Sequence, residues 1–481
     1  MPGAPKPALG PRKPPDTRKT MSVEIRNPAN PGEIVGTYPT ARPEDVPAMI
    51  RAAKAAQLAW AKVPQPERGR MIDAFLDKLE ERGEDIARSI TREMGKIIAE
   101  ARGEVAKALG EGRATTRRAS APIGEVLPSQ RPGTLVYSTR RPRGIVVGIN
   151  PWNFPFSTPI RKTIPALLYG NAMILKPSIS TPGAAFIMQE AADATLPKGI
   201  FQVANGSGSL GAVLTSAQGV DAISFTGSVG IGRIVAQAAA AGLAEISLEL
   251  GGKNPAILND ASNLDLALDQ IYGAAFAVCG QRCTAISRVI VHRKLEAAVI
   301  EGLARRAKAA RVGDGLDADT TIGPLMGEKA RADVAGFVER AVAAGARVAA
   351  GGERIAQNGG YFYAPTILSG VTPDMEVARE EVFGPVLAVI PYDTPDQALA
   401  ICNDVEFGLS ACLYSEQTPI VERFVAEAES GMLHVNCGSF PEDHAPFVGV
   451  KSSSLGVGGS NGPSTLHFYT QEHTVFRRAQ A

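Results

Sequence analysis

The sequence predicts an α/β protein: a doubly wound parallel sheet followed by a second α/β lobe. Three observations carry that expectation. The chain has 481 residues, too many for one compact core. Short apolar runs alternate with helical patterns through its middle. Fifty glycines and 35 prolines imply many tight turns and close backbone approaches, which suits a nucleotide-binding α/β protein.

Residues 1–20 mix Pro with Lys and Arg, lack an apolar signal-peptide core and read as a disordered extension, with Met21 as an alternative start. Two amphipathic helices follow. Val46, Met49, Ile50 and Ala53 share one face, as do Ile72, Phe75, Leu76 and Leu79. Residues 84–120 are helical in pattern. The stretch 124–144 is richer in Pro and Arg, holds the strand-like TLVYST, and reads as an arm or hairpin. Buried strands are expected at 145–149, 173–175, 200–204 and 222–225, with helices at 183–195 and 230–240 between them. A second series places strands near 246–249, 255–258, 288–292, 386–391 and 411–414, with a helix at 263–278. The boundary between lobes falls near 250.

Composition narrows the function classes. Fifty Lys+Arg against 49 Asp+Glu give a net charge of +1, which offers no hold on nucleic acid or an anionic membrane. No apolar run approaches the roughly 20 residues needed to cross a bilayer. Five cysteines, odd in number and not spaced as a disulfide framework, suggest reduced thiols and a cytoplasmic location. With no CxxC pair and scattered histidines, no metal site is expected.

Three segments carry chemistry. Cys283 lies in VCGQRCTA, where Gly280 and the polar Gln281–Arg282 step do not suit a packed helix, and Arg282 could favour a thiolate. Glu249 ends a strand-like run and precedes Gly251–Gly252, a pair that suggests close backbone approach. Asn153 lies in INPWNFP, where a strand must stop and turn, and its amide could serve an oxyanion. Taken singly, each has a plainer reading: a small buried hydrophobe, a solvated carboxylate and a turn residue.

Together and in this order, the three resemble the aldehyde dehydrogenase superfamily. Glu-Leu-Gly-Gly-Lys and Gly-Gln-x-Cys set Glu249 and Cys283 34 positions apart, as in that family, and ILKPS (174–178), FTGS (225–228), EEVFGPV (380–386), GMLHVN (431–436) and PFVGVKSS (446–453) extend the match. The resemblance implies a Rossmann-like cofactor domain over 21–123 and 143–250, and an α/β catalytic domain over 251–462. It adds a small β oligomerisation arm from 124–142 and a strand near 463–478. A homodimer or homotetramer is implied.

The implied reaction is NAD- or NADP-dependent oxidation of an aldehyde to a carboxylic acid, by way of a cysteine thiohemiacetal and thioester. Cys283 would be the nucleophile, Asn153 with the Cys283 N–H the oxyanion donors, and Glu249 the base that activates water. Coenzyme A-acylating relatives usually lack that base, so acyl transfer to coenzyme A is the alternative, and a silent relative with a binding role is a second one.

The same resemblance puts Lys176 at the adenosine ribose, Gly227 and Ser228 near the pyrophosphate, and Glu381 on the nicotinamide ribose, with Trp152 and Phe383 lining the nicotinamide site. Ile149, Pro151, Ser178, Ile179, Phe225, Thr226, Ile231, Leu250 and Gly251 complete the expected cofactor set. Gly208 belongs to a GxGxxG match at 206–211, a dinucleotide fingerprint taken alone. Only Asp221 follows it as an acidic partner, so it is treated as secondary to Phe225–Ser228. NAD-preferring members often carry Glu three residues after the lysine. Here Ile179 stands there, so NADP should be tolerated.

Departures from the family pattern bear on substrate. Val448 replaces the middle residue of Phe-Gly-Gly, and Gly456-Val457-Gly458 stands where a Gly-Arg-Glu often supplies a second carboxylate. Arg161 takes a position that is aromatic in aliphatic aldehyde dehydrogenases and Arg in the succinate-semialdehyde group. Arg282 resembles members that accept phosphorylated or carboxylated aldehydes. The group's other arginine is Ala277 here, and both arginines also have an interdomain or surface reading. With Phe154, Thr284, Ser439, Phe440 and Phe447 as the remaining candidates, the expected substrate is small and polar or anionic: a semialdehyde, a phospho- or sulfo-aldehyde, or lactaldehyde.

Overall fold

The computed structural model describes residues 21–478, so the N-terminal extension expected at 1–20 lies outside the described residues. A β-hairpin opens them, β1 (Ser22–Asn27) with β2 (Asn30–Pro39). Four helices follow, α1 (Val46–Trp60), α2 (Gln65–Glu81), α3 (Gly83–Met94) and α4 (Ile98–Thr116). The stretch read as continuously helical from 84 breaks between α3 and α4. Gly95 ends α3 in the left-handed region at φ 84°, and a Cβ there would meet Pro324 at 2.4 Å.

The arm comprises β3 (Val126–Leu127) and β4 (Thr134–Pro142). The first sheet then forms by alternation: β5 (Ile145–Ile149), α5 (Ser157–Leu168), β6 (Ala172–Lys176), α6 (Gly183–Thr195), β7 (Phe201–Val203), α7 (Gly208–Ser216), β8 (Ala222–Thr226), α8 (Val229–Gly242) and β9 (Glu245–Glu249). Its parallel order is β9-β8-β5-β6-β7. The second lobe starts with β10 (Asn254–Leu258), α9 (Leu264–Phe276) and β11 (Ile286–His292). Its seven-stranded sheet is parallel but for the edge strand Arg347–Ala350.

Three expectations need correction. Ser454–Gly456, which the resemblance puts in the catalytic domain, pairs antiparallel with β9 and closes the edge of the first sheet. Within 463–478, Thr465–Tyr469 is helical and only Thr470–Arg478 is strand, paired with β4. Adjacent Phe468 and Tyr469 are both fully buried, and their carbonyls accept from Arg143 and Asn171 instead of a strand. The third concerns α9, which stops at Phe276 rather than 278 because Val278, Cys279 and Gly280 all adopt positive φ.

That left-handed stretch joins the lobes. Val278 packs into the apolar core of the first lobe and Cys279 into that of the second. Two non-glycine residues in such a conformation cost of order 1–3 kcal/mol each, which the packing on both sides must offset.

Candidate active site

The C-terminal ends of the parallel strands of the first sheet face the second lobe, where open α/β sheets usually bind ligands. A cavity of about 590 Å³ lies there, lined among others by Cys283, Glu249, Asn153, Trp152, Phe383 and Glu381. The chain therefore brings the three candidate catalytic side chains, remote in sequence, to one space.

Cys283 is held through its backbone. Asn254 Nδ2 donates to the Cys283 carbonyl at 2.7 Å and to the Ala285 carbonyl at 2.9 Å. A Cβ on Gly252 would come within 2.6 Å of the Cys283 carbonyl, and one on Gly251 within 2.5 Å of the Glu381 carboxylate. The Gly-Gly pair thus lets β9–β10 approach both the Cys283 loop and Glu381. Sequence reasoning missed Asn254; its place two residues after the glycine pair was the available signal.

Burial pushes the Cys283 thiol up to about 11; Glu381 adds to this, while Arg161 and Arg282 pull it down. The expected thiolate-favouring effect of Arg282 is present but outweighed. Glu249 is buried, and neither carboxylate oxygen has a hydrogen-bond partner among the described residues. Burial raises it to about 8, against the pull of Lys162 and Arg161. Such a carboxyl accepts a proton far more readily than a solvated one. Lys162 was not anticipated: its Nζ donates to Ser224 Oγ and Thr226 Oγ1 beneath the cavity, and burial lowers it to about 7.

Asn153 Nδ2 donates to the Gln281 carbonyl at 2.8 Å, so the amide is tied to the Cys283 loop with one N–H to spare.

Of the expected cofactor residues, Pro151, Trp152, Thr226, Gly227, Ser228, Leu250, Gly251, Glu381 and Phe383 line the cavity. Trp152 and Phe383 meet edge to face at 5.7 Å. Ile149, Lys176, Ser178, Ile179, Gly208, Phe225 and Ile231 lie outside its lining.

The donor set fits a dinucleotide. Lys176 is buried, with only a 3.3 Å contact to the Pro177 carbonyl, and burial lowers it to about 8. Helix α8 starts beyond Ser228 with no acidic residue in its first turn, leaving its positive end open to an anion. A Cβ on Gly227 would strike the Phe225 ring at 2.5 Å, while one on Gly230 would meet nothing within 4 Å. The GxGxxG loop is not remote from this. A Cβ on Gly211 would come within 3.3 Å of the Lys176 chain, although one on Gly208 would meet nothing within 4 Å.

Among the substrate candidates, Arg161, Arg282, Phe154, Thr284, Phe440 and Phe447 line the cavity and Ser439 does not. Ser439 is fully buried, with its hydroxyl turned away to the Thr284 carbonyl at 2.6 Å. The two arginines differ. Arg161 forms a two-pronged ion pair with Glu111 at 2.9 and 2.6 Å and packs on the Phe447 ring. Arg282 Nη2 donates to Thr284 Oγ1 and the Ser439 carbonyl, and its face rests on Phe440. Its Nη1 is buried without a partner, and it forms no ion pair with a described residue.

Among the described residues no cluster of His, Cys, Asp and Glu could hold a metal ion, and no helix is long and apolar enough to cross a membrane.

Residues 15–475 match the model of the Aldehyde dehydrogenase family. The chain is 39% identical over 461 residues to an alpha-ketoglutaric semialdehyde dehydrogenase of Bacillus subtilis, covering 94% of each. It is 36% identical to a glutarate-semialdehyde dehydrogenase of Pseudomonas aeruginosa, covering 92% of each. A betaine aldehyde dehydrogenase of Staphylococcus aureus, solved with NAD+ and a mercaptoethanol-modified cysteine, superposes with a TM-score of 0.91 at 30% identity, covering 95% of this chain and 94% of its own.

Proposed function

The chain belongs to the aldehyde dehydrogenase family, NAD(P)-dependent oxidoreductases, and from that premise we propose that it oxidises a small anionic semialdehyde to the acid through a covalent intermediate on Cys283. One observation carries the proposal: Cys283, Asn153 and an unpartnered Glu249 line one cavity together with Arg282.

Cys283 Sγ adds to the carbonyl carbon as its proton passes to water and on to bulk solvent, helped by the pull of Arg161 and Arg282 on the thiol. The carbonyl oxygen becomes an oxyanion, met by the spare Asn153 amide N–H and the Cys283 N–H. Bound NAD(P)+ supplies the acceptor for the hydride that the tetrahedral carbon releases. Cys283 then carries a thioester. Glu249 takes a proton from water, the oxygen adds to the thioester carbon, and Cys283 leaves with its electron pair. Because Glu249 is raised, both of its protonation states are accessible near neutral pH, as a group that accepts and returns protons requires.

Lys176, Glu381 and the start of α8 would hold the cofactor. Ile179 presents neither a carboxylate to repel a 2′-phosphate nor a hydrogen bond to a ribose, so both coenzymes should serve.

The anionic preference rests on Arg282. A buried guanidinium with an unsatisfied prong is a ready partner for a carboxylate. The semialdehydes named for the two relatives carry such a group. The exposed apolar side chains Val126 and Phe476 on the arm are consistent with a homodimer or homotetramer.

The test is kcat/KM for a panel of anionic and neutral aldehydes with each coenzyme, with and without coenzyme A. Preference for the anionic members and a free acid as product support the reading. A flat profile removes the Arg282 role, and a thioester product under coenzyme A removes Glu249 as hydrolytic base.

A further inference from the structure

A second buried ion pair sits beside the catalytic residues without touching the reacting atoms. Lys96 lies between α3 and α4, and Glu104 lies on α4. Their side chains are 0% and 1% exposed, and Lys96 Nζ reaches Glu104 Oε2 at 2.5 Å. The pair holds the turn that carries Asn153. Lys96 Nζ also donates to the Asn153 carbonyl at 3.0 Å and sits 3.9 Å from the centre of the Phe154 ring. Glu104 Oε1 accepts from the Phe156 and Ser157 N–H groups, both at 3.0 Å, and so caps α5.

This turn has few other holds. Pro151 and Pro155 offer no N–H, and no side chain of α5's own N-cap closes the helix start. The Asn153 amide is meanwhile tied to Gln281. Asn153 is thus clamped by its backbone to Lys96 and by its side chain to the Cys283 loop.

We infer that Lys96 and Glu104 are a positioning pair that fixes the Asn153 amide as the oxyanion donor. The inference rests on the donor role of Asn153 under the proposed function. A donor displaced by about 1 Å loses about 100-fold in rate, so a clamp of this kind bears on turnover.

The test is a mutant cycle. Lys96→Met with Glu104→Gln removes the pair without stranding a buried charge. It is made alone and on Asn153→Ala, and read by single-turnover reduction of NAD(P)+, with Tm and the rate of Cys283 alkylation as controls. Expected is a loss of about 10- to 100-fold in the parent, with KM for the aldehyde within about threefold, and a loss under about threefold on Asn153→Ala. A full loss on Asn153→Ala as well overturns the pair's role and leaves the donor role standing. An Asn153→Ala protein with the parental rate overturns both.

Should the double substitution fail to fold, Lys96→Arg keeps the charge but alters the hold on Asn153. It should slow the single turnover about tenfold at nearly parental Tm. Parental rates in that protein contradict the inference.

Discussion

The two sides of the cavity treat their buried polar groups differently. On the α4 side the charged groups are matched: Lys96 with Glu104, Arg161 with Glu111, the half-buried Lys107 with Asp443, and Glu100 by the Val278 N–H. On the side built by β9, the Cys283 loop and the start of α8, Glu249 has no hydrogen-bond partner and Arg282 has an empty prong. Leaving a buried polar group unmatched costs about 1–3 kcal/mol, more for a charged one. Under the proposed function a ligand completes that set, and pairing separates the groups that hold the frame from those that meet substrate. It also separates two arginines that sequence alone treats as equals.

The largest effect should come from Cys283→Ala, which removes the proposed nucleophile. Turnover should fall by about four orders of magnitude or more while NAD(P)H binding persists. Asn153→Ala should cost about 100- to 1,000-fold in kcat, read by steady-state kinetics across aldehydes.

The arginines break or sharpen the comparison most directly. Arg282→Met should lower kcat/KM for an anionic semialdehyde by roughly 30- to 1,000-fold and leave a neutral aldehyde nearly unchanged. Arg161→Met should instead leave Glu111 with only the more distant Lys107, 3.7 Å away, as a cation among the described residues, lower Tm and slow both aldehydes alike. The reverse pattern would mean that Arg161 lets go of Glu111 to bind substrate.

The smallest effect concerns pH. A carboxyl raised to about 8 in the folded protein holds a proton that the unfolded chain has released, from about pH 4.5 upward. It therefore lowers stability increasingly as pH rises toward 8. Glu249→Gln should raise Tm, by more at pH 8 than at pH 5. Deacylation in the parent should strengthen as pH rises through about 8, because the base must be ionised.

Sequence made some parts legible and not others. Strand positions 145–149 and helix 183–195 match because short buried apolar runs and a clear helical period leave little choice. The β1–β2 hairpin escaped notice because its mixed residues show no clean alternation. The resemblance puts LHFY in the arm strand, but burying both Phe468 and Tyr469 requires a helical turn. At the site, the motifs around Cys283, Glu249 and Asn153, read together as a family resemblance, brought these residues forward. Pairing could not be read that way. Whether Arg161 is free depends on Glu111, 50 residues earlier, and on how α4 lies against α5.

The central claim is that the unpaired side carries the chemistry, with Cys283 acylated and Glu249 releasing the acid. Intact-mass measurement of the Glu249→Gln protein after brief mixing with aldehyde and NAD(P)+ tests it most directly. The account predicts a burst of reduced coenzyme of about one per site, and an acyl adduct that peptide mapping places on Cys283. Continued turnover at the parental rate with no adduct, or an adduct on another cysteine, would contradict it.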